Sequence, residues 1–267
     1  MKDHLLALAA FSTLAACGGS GSGPTVITVP AEFNTFGDSD VDVELTPSGD
    51  IIAVTKSGGP AAVGTDTAPD FSTFRTAIDA SGDYTIAFAS ASSTSTAGGA
   101  VYQDGADETS GVFYERIGET DLPTTGSASF SGDYVGMLTF LNTGGTVEGV
   151  GFTGEVLVNV DFENALVDGA ITDRALVTLT DLMPLDDSSV ADLMLTESEL
   201  EADGSFGGIP TGGEFTVDGD VSSIGPIAGF EGLIAGTDAT EAVGGVFVPH
   251  SFDGDNFVEV GAFAAAH

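Results

Sequence analysis

The chain of 267 residues has no tryptophan, one cysteine, and five Lys and Arg against 41 Asp and Glu. A single thiol excludes an internal disulfide, so stability must come from an apolar core and a hydrogen-bonded ladder. The scarcity of cations leaves a net charge of −36. That field repels phosphate backbones and excludes nucleic acid as a partner, while it draws cationic partners and keeps a solvated surface soluble. Only three histidines occur. One lies in the leader and one is terminal, so a multi-His zinc site or a Ser-His-Asp triad has almost no candidates. Neither G-x-S-x-G nor H-E-x-x-H is found, and no enzyme is expected. Gly149-Val-Gly151-Phe-Thr-Gly154 has the spacing of a dinucleotide fingerprint. That motif needs a helix behind its glycines, and a strand pattern follows instead, so a hairpin turn is expected.

The apolar run Leu5–Leu14 is too short for a bilayer, which takes about 20 residues. It reads as a signal peptide over 1–16. Leu14-Ala15-Ala16-Cys17 behind it resembles the processing site of bacterial lipoproteins, with Cys17 acylated after cleavage. The glycine-serine run 18–23 then forms a tether, giving a linker over 17–24. Gly18 after the cysteine resembles lipoproteins sent to the outer membrane. Each buried methylene of such an anchor contributes about 0.8 kcal/mol. Removing Lys2 and Asp3 with the leader leaves the charge balance unchanged.

What remains is rich in glycine, with 38 residues, and in Val, Phe, Thr and Ser. This composition favours strands and turns over helices. Residues 25–122 read as a small, mostly β N-terminal domain. Val41–Leu45, Ile51–Thr55, Tyr84–Ser90 and Gly111–Ile117 are its strands, Ser92–Gly99 a loop, and Phe71–Ile78 a short helix from its i, i+3, i+7 apolar spacing. Gly118–Gly126 marks the boundary. Beyond it, Phe152, Gly154, Val156, Val158, Val160 and Phe162 alternate with Thr153, Glu155, Asn159 and Asp161. Period two over eleven residues predicts a long strand with one wet face. Phe130–Phe140 and Phe215–Val221 repeat the theme. Weaker runs lie at Ala165–Ile171, Ala175–Leu182 and Asp192–Glu201, with a helical turn expected at Ser188–Leu193. Glycine recurs in Phe230–Ala235, Ala242–Val248 and Phe257–Ala264, where a sheet bends tightly or backbones approach closely. The fold class expected is all-β: an eight-stranded antiparallel barrel over 126–267, preceded by the small handle-like domain.

The second half resembles the β-barrel domain of the transferrin-binding protein B superfamily of surface lipoproteins. The matching pieces are Gly132-Asp133-Tyr134-Val135-Gly136, Val158-Asn159-Val160-Asp161-Phe162 with Gly169-Ala170-Ile171, and Gly204-Ser205-Phe206-Gly207. Gly229-Phe230-Glu231-Gly232, Glu241–Phe247 and Gly261–Ala265 follow in the family's order. The resemblance implies an eight-stranded barrel, an outer-membrane anchor, and display at the cell surface by a lipoprotein translocon. It also implies a protein ligand, or a haem or iron carrier, held by loops at one barrel end or across the barrel–handle seam. The family's transferrin binders carry two lobes; this chain has the pieces of one. The alternative reading is a structural coat lipoprotein of the envelope without a specific small-molecule ligand.

Two candidate sites follow from residue type. His250, beside Pro249 at the expected turn between two C-terminal strands, is a candidate axial ligand for haem iron. The Asp-rich turns at Asp218-Gly-Asp220 and Asp253-Gly-Asp255 are candidates for calcium, although neither fits the EF-hand loop. Similar turns lie at Asp38–Asp42 and Asp104–Glu108.

Overall fold

Alternating apolar residues dictate a sheet protein, and the computed structural model is all-β. It describes residues 27–30, 41–46, 48, 50–56, 61–62, 70–79, 85–104, 107–140, 150–178 and 181–267. Four strands make a first antiparallel sheet: β1 (Ile27–Pro30), β2 (Val41–Leu45), β3 (Ile51–Lys56) and β4 (Ala61–Ala62). Four more make a second: β5 (Arg75–Asp79), β6 (Thr85–Ala91), β7 (Ser95–Asp104) and β8 (Asp107–Arg116).

The wall of the C-terminal half is built from β9 (Ser127–Phe140), β10 (Val150–Asp161), β11 (Leu166–Thr178), β13 (Leu193–Glu199), β14 (Ser205–Gly208), β19 (Gly229–Ala235), β20 (Glu241–Phe252) and β21 (Asp255–Ala266). Antiparallel ladders join them in the order β14, β19, β20, β21, β9, β10, β11, β13. The two ends of this row are consecutive in the chain. The turn at 200–204 brings β13 beside β14, and the Thr196 hydroxyl donates to the Ile209 carbonyl at 2.8 Å across the gap. No ladder joins β13 to β14 among the described residues, so the sheet is curled with a seam rather than hydrogen-bonded all the way round. Short strands complete the set. β15 (Thr211–Gly212) pairs β13, and β18 (Ser223–Ile224) pairs β20. β12 (Ser188–Val190), β16 (Phe215–Val217) and β17 (Asp220–Val221) form a separate three-stranded sheet.

The two faces of the wall have separate jobs. Inward residues from all eight strands, among them Phe130, Phe152, Leu195, Phe206, Phe230 and Phe263, share one core. Each such side chain stabilises the fold by roughly 1.5–3 kcal/mol. The outward residues Val135, Met137, Val243, Phe247, Val258 and Val260 share a core with Ile86, Phe88 and Val112 of the second sheet and with Phe74 in the turn before it. On that sheet's far face Ala87, Ala89, Ala100 and Phe113 meet Val43 and Leu45 of the first. The molecule is therefore layered, and the second sheet is buried on both sides. Glycine lets the wall curl around aromatics: a Cβ on Gly261 would sit 2.1 Å from the Tyr134 hydroxyl. Gly136 lies directly opposite Gly261 on the neighbouring strand, and its Cβ would meet the same hydroxyl.

Several sequence expectations are corrected. Phe71–Ile78 is no helix: Phe71 and Phe74 exchange backbone hydrogen bonds in a tight turn that leads into β5. There Arg75–Asp79 find partners on β6, which a lone turn of helix would not supply. Most of Ser92–Gly99 is strand rather than loop, because β7 begins at Ser95 and its glycines fit beneath Phe88 and Phe113. Ser188–Leu193 is no helical turn; β12 pairs with β16. The runs expected at Ala165–Ile171 and Ala175–Leu182 fall largely on one strand, β11, which ends at Thr178 and is interrupted by a bulge. The eighth wall strand is β14, not the Phe215–Val221 run, which forms the small sheet instead. Cys17 and the tether lie outside the described residues, as do Asp38–Asp40, Gly105–Ala106 and Gly149.

Candidate functional site

The bulge in β11 decides what the barrel interior contains. Thr153 pairs with Ala175 and Glu155 with Thr172, so Gly154 faces two residues, Asp173 and Arg174. Asp173 takes up the extra residue at φ 49°. A bulge re-aims the side chains that follow it. Before it, Val167 and Ile171 point inward; after it, Arg174 and Leu176 do. Gly154 leaves room for the Arg174 stem, since a Cβ there would lie 3.2 Å from Arg174 Cγ.

Arg174 meets Glu259 of β21, and both side chains are fully buried. The guanidinium donates through Nη2 to Glu259 Oε1, which also accepts from the Tyr134 hydroxyl. His250 Nε2 lies 3.2 Å from Glu259 Oε2. Arg174 Nη1 donates to the carbonyls of Ala191 at 3.0 Å and Gly213 at 3.3 Å. Its charge sits over the Phe152 ring, 5.0 Å from the centroid. His250 packs between Phe152 and Phe215, and its Nδ1 is 3.4 Å from the Ser222 hydroxyl. That hydroxyl accepts the Phe215 N–H at 2.9 Å.

These contacts tie the wall to the small sheet. Ala191, Gly213, Phe215 and Ser222 all belong to the segments around β12, β16 and β17. The Arg174–Glu259 pair and His250 thus hold that sheet against one end of the core as a cap. Burial alone raises the Glu259 carboxyl; Arg174 and then His250 and Tyr134 outweigh it and hold it at about 2. Burial and then the neighbouring carboxylate push the Tyr134 hydroxyl well above its ordinary value. Ser222, His250 and Glu259 stand in a row, but the serine oxygen is bonded to the cap's own backbone, and the row is a strut of the fold.

His250 is therefore placed differently from the sequence expectation. It lies within β20, paired with Phe257, and is 2% exposed rather than at a turn. Both ring nitrogens face protein groups. The turn begins three residues on, at Asp253-Gly254, both at positive φ between the paired residues Phe252 and Asp255. Asp218-Gly219 repeats the geometry between β16 and β17. Two-residue hairpins of this kind require both central residues at positive φ, which Asp-Gly supplies. Asp220 and Asp255 are strand residues, paired with Val217 and Phe252. Among the described residues no three His, Cys, Asp or Glu side chains come together as a metal-binding group. Sequence reasoning missed Arg174 and Glu259. The available signal was a lone carboxylate in the apolar run Val258–Ala266 and an arginine in a chain nearly without cations.

Two clefts open where the second sheet meets the wall. One, of about 540 Å³, is lined by Tyr114 of β8, Glu199 and Glu201 beside the seam, Phe206, and Ile227 and Glu231 near β19. The Tyr114 hydroxyl donates to Glu231 Oε2 at 2.9 Å, and Ile227 is 56% exposed. The other, of about 390 Å³, lies between the turn before β5, the start of β7, and strands β9, β20 and β21.

No protein-family model and no curated protein matches the chain. Solved structures do. A double mutant of the vaccine antigen transferrin binding protein B from Haemophilus parasuis Hp5 is similar over 90% of this chain and 44% of its own, at 17% identity and a TM-score of 0.44. The isotype 1 transferrin binding protein B of serogroup B Neisseria meningitidis is similar over 90% of this chain and 42% of its own, at 13% identity and a TM-score of 0.40. A Nostoc punctiforme protein of unknown function, from the DUF3598 family, aligns over 91% of this chain at 8% identity and a TM-score of 0.28. The chain spans less than half the length of the transferrin binding proteins that it matches.

Proposed function

We propose that this chain is a non-enzymatic, lipid-anchored protein of the outer-membrane surface that binds a cationic segment of a partner protein. The observation that carries this reading is the cleft of about 540 Å³ between β8, the seam and β19. Its volume falls in the range of binding clefts, about 300–1,000 Å³. Three carboxylates, Glu199, Glu201 and Glu231, line it together with the exposed apolar side chain of Ile227. A Lys- or Arg-bearing segment fits that chemistry, and the net charge of −36 steers it inward. Acylated Cys17 and the glycine-serine tether hold the domain at the membrane.

Binding of a fluorescein-labelled Lys-rich peptide, read by anisotropy, tests the cleft. The triple variant Glu199→Gln, Glu201→Gln, Glu231→Gln is expected to bind at least tenfold more weakly. A control that removes three remote charges, Asp218→Asn, Asp220→Asn and Asp253→Asn, is expected to change binding less than twofold. Equal losses in the two variants would mean diffuse attraction to an acidic coat, the structural reading. The anchor is tested by Cys17→Ser, which is expected to move the protein out of the outer-membrane fraction; retention there would contradict it.

A further inference from the structure

The second cleft has a different chemistry, and nothing in the proposed partner site uses it. Its volume is about 390 Å³. The lining sets hydroxyls, including Ser72, Thr73, Ser92, Ser95 and Ser131, beside small apolar residues such as Ala264 and Ala265. Each hydroxyl both donates and accepts, a lining that matches a solute with hydroxyls of its own.

One carboxylate stands in this wall, and it is pre-set. Glu241 Oε2 accepts from the Ser92 hydroxyl at 2.8 Å and from the Ser95 hydroxyl at 2.6 Å. Ser95 is 4% exposed, so this support is built into the packed layer between the sheets. Ser92 is fixed in turn, because its oxygen accepts the backbone N–H groups of Thr94 and Ser95, each at 3.0 Å. Glu241 Oε1 carries no hydrogen bond among the described residues. Holding a carboxylate with two hydroxyls on one oxygen fixes the direction of the other.

The charges nearby point to the sign of the ligand. Arg75 at the cleft is already compensated, donating to Asp70 and lying 3.8 Å from Asp50. Asp133 accepts from the Thr73 N–H and hydroxyl at the same junction. Among the described residues, Glu241 is thus left without a counter-charge. We infer that this cleft between the second sheet and the wall is a binding site for a small amino-polyol, whose ammonium is held by Glu241 and whose hydroxyls are held by the serine-threonine lining. A charge-assisted hydrogen bond of that kind is stronger than a neutral one, so the ammonium should dominate affinity.

Isothermal titration of the full chain with glucosamine tests the inference, with glucose as the uncharged match. Glucosamine is expected to give a saturable one-to-one isotherm, and glucose to bind at least tenfold more weakly. Glu241→Gln should weaken glucosamine at least tenfold while leaving the Lys-rich peptide unaffected. Should that variant fail to fold, Ser131→Phe at the exposed rim fills the cleft without touching the Ser92–Glu241–Ser95 contacts, and should abolish binding. Absence of a saturable isotherm for glucosamine, equal binding of glucose, or full binding by the folded variant would overturn the proposal.

Discussion

Glu259 is the one buried carboxylate among the described residues, and the side chains of Tyr134, Arg174 and His250 converge on it. An ion pair in a dry interior is costly to assemble and costlier to break from one side. Glu259→Gln leaves Arg174 buried with its charge uncompensated and its Nε still without a partner. The expected loss is about 3–5 kcal/mol of unfolding free energy by chemical denaturation. Replacing both partners, Arg174→Met with Glu259→Leu, should cost less than the sum of the single changes, because no orphan charge remains. The pH dependence has a definite sign. The folded carboxyl is held at about 2, below the ordinary 4.5. Its contribution is therefore complete above pH 4.5 and is lost as pH falls from there through about 2. In Glu259→Gln the melting temperature should fall less steeply over that acid window than in the parent chain. At this scale the sequence was partly legible. Tyr134 sits on the inward face that period two assigns to it, whereas Arg174 faces inward only because of a bulge that no period reveals.

Strands and turns carry the next level. The inward glycines of the wall are spaces reserved for aromatic rings. Gly261→Ala would drive a methyl into the Tyr134 hydroxyl and ring. Overpacking of that kind costs about 1–3 kcal/mol. Gly229→Ala, whose nearest contact would be 3.9 Å away, is expected to be near neutral. Comparison of the two denaturation midpoints checks the pair; equal effects would remove the packing argument. The recurrence of glycine in β19, β20 and β21 was plain in the sequence, and curling with close approach is what those residues provide. The placement of His250 was not legible, because Pro249 suggested a turn. In the structure β18 covers that side: its residue Ile224 pairs His250, and Gly225 N–H donates to the Pro249 carbonyl. The Asp-Gly pairs at 218–219 and 253–254 follow a local rule, positive φ at both central positions, which accounts for them without a cation.

At the scale of the molecule, three layers share two apolar interfaces, and the two clefts open along the junction that the wall makes with the second sheet. That the second sheet is buried on both faces could not be read from composition, since β6 alternates small Ala87 and Ala89 with Ile86 and Phe88. An apolar run without a wet face is ambiguous until its neighbours are known. The seam between β13 and β14 was equally hidden, because it depends on Thr196 meeting Ile209 across the turn at 200–204. The same turn places Glu199 and Glu201 at the cleft. The most direct measurement of the central claim is hydrogen–deuterium exchange of the full chain with and without the bound Lys-rich peptide. The account predicts slowed exchange together in β8, in β14 with the turn before it, and in β19, with the cap strands β12, β16 and β17 unchanged. Slowing confined to the cap, or spread evenly over the acidic surface, would contradict it.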